Sequence, residues 1–109
     1  MTSFPSIKEA HEFFSLPGIP NKRYIFDKEG MVRIYSIPGY GDLIKENTIL
    51  FWTKQETMGK HFGKSMKAER PVKVFRKQEN KVEYLGEWNI HDIQFSYVSL
   101  KRNDPSTKH

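Results

Sequence analysis

The sequence of 109 residues contains no cysteine, which excludes disulfide bonds, thiolate nucleophiles and cysteine-ligated zinc sites. It also has no apolar run near the roughly 18 to 20 residues that a membrane-spanning helix needs. The N-terminal stretch MTSFPSIKEAHEFF lacks the charged-then-apolar order of a signal peptide. We therefore expect an intracellular protein, in the nucleus if the source is eukaryotic and in the cytoplasm if it is prokaryotic.

Sequence signals for catalysis are missing as well. No GxSxG elbow, HExxH zinc motif or GxxxxGK[ST] phosphate loop occurs, and the four histidines stand in dissimilar contexts. His91 and Asp92 are adjacent, but the sequence offers no companion ligand or base to complete a site with them. We expect a protein that is not an enzyme and that uses no metal or cofactor.

Length and charge set the outline of the protein. A chain of 109 residues has room for about one hydrophobic core. The net charge of +5 is concentrated in the second half, where residues 61–109 hold 10 Lys and Arg against 6 Asp and Glu. A basic balance of this kind favours an anionic partner such as nucleic acid.

One helix is predicted near the N-terminus, in SIKEAHEFFSLPG. Ser6 is a suitable N-cap, Glu9 stands at the capping-box position, and a Pro-Gly pair ends the segment. Apolar residues at spacings of three and four predict one face packed on a sheet, with His11 and the charged residues outside. The apolar positions are Ile7, Ala10, Phe13 and Phe14.

The rest of the chain reads as short strands separated by turn residues. Residues 24–35 predict a hairpin around a Gly-containing turn, and residues 72–85 form the most regular alternating hairpin. Further strands are predicted at 48–52 and 93–100. The expected fold class is α+β, a strongly curved β-sheet or small β-barrel with an N-terminal helix.

The segment QETMGKHFGKSMKAER at 55–70 has weak periodicity and two glycines, which predicts a mobile loop with about one helical turn. Its basic side chains suit contacts to a polyanion, although a solvated loop without a ligand explains the composition equally well. With two residues of the following strand, the candidate contacts to a nucleic-acid backbone are Lys60, Lys64, Lys67, Arg70, Arg76 and Lys77.

Several features follow one another between residues 24 and 88. A Tyr is followed three positions later by an Asp, then come a turn Gly, a second Tyr with a Ser after it, a Gly-Asp pair, PVKVFR at 71–76 and Tyr-Leu-Gly at 84–86. In this order and spacing the chain resembles the SRA domain, also called YDG, a modified-cytosine reader of the PUA-like superfamily. The lean pattern is most similar to the divergent or restriction-associated branch.

The resemblance implies a module that binds double-stranded DNA and flips 5-methylcytosine, or a related modified cytosine, into an aromatic pocket. It assigns the base pocket to Tyr24, Asp27, Tyr35 and Ser36, and the pocket-forming turn to Gly39, Gly41 and Asp42. The two tyrosines would stack on the base and the aspartate would accept from its amine. Read without the resemblance, the same stretch is a plain hairpin in which the tyrosines pair across the strands and the aspartate caps the turn.

The chain departs from the SRA pattern in two respects: it is shorter than typical chromatin members, and Leu43-Ile44-Lys45 replaces their Asn-Lys-Arg finger. Two other functions stay open, a PUA-like domain for RNA or a modified RNA base and a protein-interaction domain with a vestigial pocket. We expect one SRA/PUA-like domain at 1–102, with the helix and its lead-in at 1–20, and a disordered polar tail at 103–109. A nuclease or chromatin domain elsewhere in a larger protein is a possible partner.

Overall fold

The computed structural model describes residues 3–53 and 56–102. Within them, eight strands form one mixed sheet in the order β2-β3-β6-β7-β8-β5-β4, with β1 paired to β7, and the sheet is not closed. All strand pairs are antiparallel except β3 with β6. The elements are β1 (Ser3–Phe4), α1 (Ile7–Phe13), β2 (Tyr24–Asp27), β3 (Gly30–Ser36), β4 (Leu43–Ile44), β5 (Thr48–Trp52), α2 (Glu56–Lys67), β6 (Val72–Lys77), β7 (Val82–Ile93) and β8 (Tyr97–Arg102).

The sheet carries a separate apolar cluster on each face. The larger cluster lies under α2 and includes Phe62 of the helix and Trp88 of β7. The smaller cluster lies under α1, where Phe75 of β6 packs with Ala10 of the helix. Because side chains alternate along a strand, neighbouring residues of β3 and β6 serve opposite clusters.

Helix α1 confirms its predicted start and most of its predicted apolar face, since Ile7, Ala10 and Phe14 pack in the cluster under α1, whereas Phe13 and His11 differ from the prediction. Ser6 is the N-cap, and its hydroxyl oxygen accepts from the Glu9 N–H at 3.3 Å. Phe13, expected in the core, is 62% exposed, whereas His11, expected outside, is buried. Phe14, which was also expected in the core, is half-buried against the cluster under α1, and its ring centroid lies 4.6 Å from that of Tyr84.

The prediction of a mobile loop at 55–70 is wrong for most of this segment, because residues 56–67 form helix α2. Residue 55 lies outside the described residues. Met58, Phe62 and Ser65 are buried at helical spacing, and the Ser65 hydroxyl donates to the Met31 carbonyl oxygen at 2.9 Å. Contacts with the sheet, which a local pattern does not reveal, therefore stabilise this helix despite its two glycines.

The hairpins confirm the β prediction, with shifted boundaries at the end. The hairpin of β2 and β3, the strand β5 and the hairpin of β6 and β7 stand where expected, but β7 continues to Ile93. The last strand therefore starts at Tyr97, and the Gln94 N–H donates to the Tyr97 carbonyl at 2.8 Å to close the turn between β7 and β8. The predicted disordered tail at 103–109 lies outside the described residues.

Gly30 sets the distance between α2 and the sheet, which gives a test of the packing. Its φ is +124°, and a Cβ at this position would lie 2.5 Å from the Ser65 hydroxyl and 2.7 Å from the Ser65 backbone nitrogen. We expect Gly30→Ala to lower the free energy of unfolding by about 2 kcal/mol or more, since both strain and overpacking act. Urea unfolding measures this. The matched control is Gly63→Ala in α2, where a Cβ meets open space, and it should be neutral or stabilising.

Candidate nucleic-acid interface

The two tyrosines of the first hairpin lie on opposite faces of the sheet. Tyr24 pairs with Ile34 across β2 and β3, and both contact the cluster under α2. Tyr35, the next residue of β3, is buried in the cluster under α1. Two rings on opposite faces cannot stack on the same base, so the prediction that Tyr24 and Tyr35 enclose a base between them is wrong. The pairing of these tyrosines across the strands is wrong too.

Asp27 stands at the far end of β2 and faces the end of α2. Its carboxylate accepts two bonds from the Arg70 guanidinium, at 2.7 and 2.9 Å, and one from the Glu29 N–H at 2.8 Å. The bond from Arg70 is the main cause that lowers the pKa of Asp27 to about 2. Asp27 therefore caps the turn and holds Arg70, and does not line a pocket with Tyr24 or Tyr35.

The turn that follows β3 is fixed by the buried carboxylate of Asp42. One carboxylate oxygen accepts from the Trp52 N–H at 2.7 Å, the other accepts from the Ser36 hydroxyl at 2.9 Å, and both lie 3.0 Å from Arg23 Nη2. The Asp42 side chain is only 2% exposed. The structure thus brings the predicted residues Ser36 and Asp42 together and adds Arg23, which the sequence analysis did not select.

An open cavity of about 880 Å³ lies beside this turn. We call it the aromatic cavity, because Tyr24, Tyr40 and Trp52 line it together with the Arg23 side chain. Gly39 and Gly41 form part of its wall with φ of +97° and +90°, as the turn prediction required. The remaining lining residues are Asn21, Lys22, Ile37 and Met58.

Arg23, the ion-pair partner of Asp42, also contacts two aromatic rings, Tyr40 of the aromatic cavity and Phe51 of the core. Its guanidinium carbon lies 4.2 Å from the ring centroid of Tyr40 and 4.5 Å from that of Phe51. Cations at this distance over a ring face are attracted by its quadrupole. Tyr40 is half-exposed, so its ring is accessible at the cavity. The ring is held in place by Arg23, which is paired with the buried carboxylate of Asp42.

Tyr24 is supported from behind by two further rings. Phe26 lies nearly parallel to Tyr24 at a centroid distance of 6.1 Å, and the imidazole of His61 stacks on Phe26 at 3.6 Å. Burial, with smaller contributions from Lys64 and Lys60, lowers the pKa of His61. The imidazole is accordingly neutral at pH 7, which suits its stacking on the apolar ring of Phe26.

The predicted backbone contacts do not form one group. Lys60, Lys64 and Lys67 are exposed on α2, and the last two border a surface cavity of about 670 Å³ with Lys28. Arg70 and Arg76 are engaged in ion pairs, with Asp27 and with Glu83. Lys77 is exposed at the end of β6, where it lines a cavity of about 260 Å³ beside Ser36 and the turn.

Tyr40 and Trp52 line the aromatic cavity but were not predicted as site residues, and only Tyr40 has a sequence context that indicates ligand contact. Tyr40 stands between two turn glycines, and an aromatic residue in such a turn is a candidate for ligand contact. Trp52 ends an apolar strand, so its sequence context predicts core packing instead. Among residues 3–53 and 56–102, no group of three or more His, Asp or Glu side chains is placed to hold a metal ion. The same residues contain no helix with the length and apolar character to span a membrane.

No protein-family model and no curated protein matches the sequence. Solved structures match the fold closely. The SRA domain of SUVH5 in complex with hemimethylated CG DNA superimposes with a TM-score of 0.76 at 16% identity, over 94% of this chain and 85% of that one. The chain has an SRA-like fold. This confirms the fold expected from the resemblance.

Two further SUVH5 structures match the SRA-like fold over the same 94% of this chain and 86% of theirs. The complex with fully hydroxymethylated CG DNA has a TM-score of 0.70 at 16% identity. The complex with methylated CHH DNA has a TM-score of 0.68 at 17% identity. Of the two expected forms, curved sheet or barrel, the open mixed sheet is the one present.

The pair of Asp27 and Arg70 predicts a pH dependence of stability. The folded pKa of Asp27 is about 2, below its ordinary value of 3.8, so the pair stabilises the fold above pH 4 and this contribution is lost as the pH falls through about 2. Asp27 is 38% exposed, so solvent screening limits the effect to about 1 kcal/mol or less. Urea unfolding should show Asp27→Asn less stable than wild type at pH 7 and the gap closing towards pH 2.

The control for this pair is Glu79→Gln, at an exposed position in the turn between β6 and β7. It should change stability little, and its difference from wild type should not follow the titration of Asp27. A gap between wild type and Asp27→Asn that stays constant from pH 7 to pH 2 would contradict the assignment.

Proposed function

We propose that the protein is a DNA-binding module that reads a modified cytosine, 5-methylcytosine or a related base, in the aromatic cavity. The observation that carries the proposal is the aromatic cavity itself, within a fold that the SUVH5 SRA domain shares. The SUVH5 structures hold methylated, hemimethylated and hydroxymethylated DNA. The role is binding, and no side chain of this chain is assigned to catalysis.

The cavity supports stacking of an extruded base. Extruding a base from a duplex costs a few kcal/mol, and each aromatic contact returns roughly 1 to 3 kcal/mol. Tyr24, supported by Phe26, and the accessible ring of Tyr40 are the proposed stacking partners, with Trp52 as the third aromatic wall. A volume of about 880 Å³ lies within the range of pockets that hold small ligands.

Polar groups at the cavity suit the edge of a cytosine. Arg23 only donates, so it fits the O2 and N3 acceptors of the base, and Asn21 supplies a carboxamide oxygen for the amine. In this proposal Asp42 and Ser36 position Arg23 and the turn, and Gly39 and Gly41 let the backbone approach the base. Tyr35 and Asp27 were also expected in the pocket, but they stabilise the fold instead. Tyr35 lies in the core under α1, and Asp27 forms an ion pair with Arg70.

The phosphate backbone would lie along the exposed lysines of α2. In the described part of the chain, the side chains of Lys60, Lys64 and Lys67 are exposed and form no hydrogen bond or ion pair, whereas Arg70 and Arg76 would first have to leave carboxylates. Lys77 at the other side of the turn is a further backbone contact in this proposal. Neutralising phosphates releases counterions, so affinity should fall as salt rises.

Fluorescence anisotropy tests the proposal with duplexes that differ only in one base: cytosine, 5-methylcytosine or 5-hydroxymethylcytosine. Tighter binding to one modified duplex supports it. Equal binding to all duplexes overturns modified-base reading and leaves a general nucleic-acid module. Preference for a matched RNA favours the RNA alternative, and no binding at low salt favours a protein-interaction domain.

Stacking by Tyr40 predicts a loss that is selective for the modified duplex. Tyr40→Ala should weaken binding to that duplex about tenfold, because a ring contact is removed, and should change binding to the unmodified duplex much less. Tyr40→Phe keeps the ring and should retain the preference. Equal weakening on both duplexes would place Tyr40 on the backbone path and not at the base.

The lysines of α2 predict the opposite pattern. A double variant Lys64→Ala, Lys67→Ala should weaken binding to modified and unmodified duplexes alike and lower the salt slope by about 1 for each lost phosphate contact. The control is Lys8→Ala, an exposed lysine on α1 at the other face of the sheet. An unchanged salt slope in the double variant would remove α2 from the interface.

A further inference from the structure

Phe95 is the most exposed large apolar side chain among the described residues, at 91%. It lies at the tip of the β7–β8 hairpin, residues 94–96, where neither apolar cluster of the protein reaches it. Phe13, the next most exposed, differs because its ring lies 5.3 Å from Phe4 and 5.0 Å from Phe14. A phenylalanine held out in solvent on a turn is suited to enter an apolar space on a partner.

The tip that carries Phe95 is fixed by hydrogen bonds on both sides. The Gln94 N–H donates to the Tyr97 carbonyl at 2.8 Å, and the Gln94 side-chain amide donates to Asp92. The Thr53 N–H donates to the Ser96 carbonyl at 2.7 Å. Phe95 therefore projects from an anchored turn.

The same bonds place the tip next to the aromatic cavity. Trp52, which lines the cavity, pairs with Tyr97, and the following residue Thr53 is bonded to Ser96. Phe95 is the neighbour of Ser96 in the chain. A duplex seated over the cavity with one base inside would thus meet the tip close to the vacated position.

We propose that Phe95 inserts into the duplex and fills the gap that the extruded base leaves. The inference rests on the proposed function, since it needs a base in the aromatic cavity. Apolar wedges between base steps are a general means of holding an opened or kinked duplex, and a phenyl ring replaces part of the lost stacking. Leu43 is also exposed, but it lies within strand β4, paired with Leu50, and not at a turn tip.

The test compares wild type, Phe95→Ala and Phe95→Leu on a modified duplex and on the same modified strand alone. Phe95→Ala should bind the duplex about tenfold more weakly and the single strand unchanged, because a single strand has no gap to fill. Phe95→Leu keeps an apolar wedge and should retain most of the duplex affinity. Phe13→Ala, an exposed phenylalanine at α1, is the control and should bind like wild type.

A 2-aminopurine next to the modified cytosine reports the opened stack separately from affinity. Its fluorescence in complexes at saturation should differ between wild type and Phe95→Ala, because the ring no longer contacts it. If Phe95→Ala binds the duplex like wild type, or loses duplex and single strand equally, the wedge is overturned while modified-base reading stands. If wild type shows no preference for the modified duplex, the proposed function fails and the wedge with it. Thermal unfolding of each variant verifies that the fold is intact.

Discussion

The ion pair of Asp42 with Arg23 organises the whole end of the sheet that carries the aromatic cavity. A carboxylate that is 2% exposed must be fully bonded, and Asp42 is bonded by the end of β3, the start of β2 and the end of β5. The strands β2 and β3 form one hairpin, whereas β5 lies near the opposite end of the strand order. Because one carboxylate serves all three, the turn at 37–42 has a fixed place, and Tyr40 is presented at the cavity by the same Arg23.

Packing at the other end of β3 depends on the close approach of α2. Gly30 admits the helix backbone at Ser65, and the helix then brings His61 onto Phe26. Phe26 lies beside Tyr24 because both belong to strand β2, so the helix adds only the last ring to this column. The exposed lysines of α2 follow from the same geometry, because its buried face is occupied by Met58, Phe62 and Ser65.

Local patterns in the sequence are sufficient for most of the strands. The alternation in 72–85, the N-cap at Ser6 and the glycine turn of the first hairpin all have short-range physical causes, and the structure contains each of them. Helix α2 is different, since its glycines lower the local preference and its stability comes from contact with the sheet. The prediction that Tyr24 and Tyr35 share a pocket was wrong for a similar reason, because it depends on contacts between strands that a local pattern does not determine. A tyrosine can be placed on a strand from sequence, but the face it occupies depends on the register, and the pairing of Tyr24 with Ile34 separates it from Tyr35.

Under the proposed function, the burial of Tyr35 restricts where an extruded base could lie. The face of the sheet under α1 is filled by Phe4, Phe14, Phe75 and Tyr84 around Tyr35, so an extruded base would have to displace a packed core there. Burial accordingly raises the pKa of the Tyr35 hydroxyl. The open space lies on the other side of the turn, where Tyr24, Tyr40 and Trp52 come from three separate segments. Under the proposed function, recognition therefore falls to the turn at 37–42 and to the end of β5, the elements that Asp42 holds together.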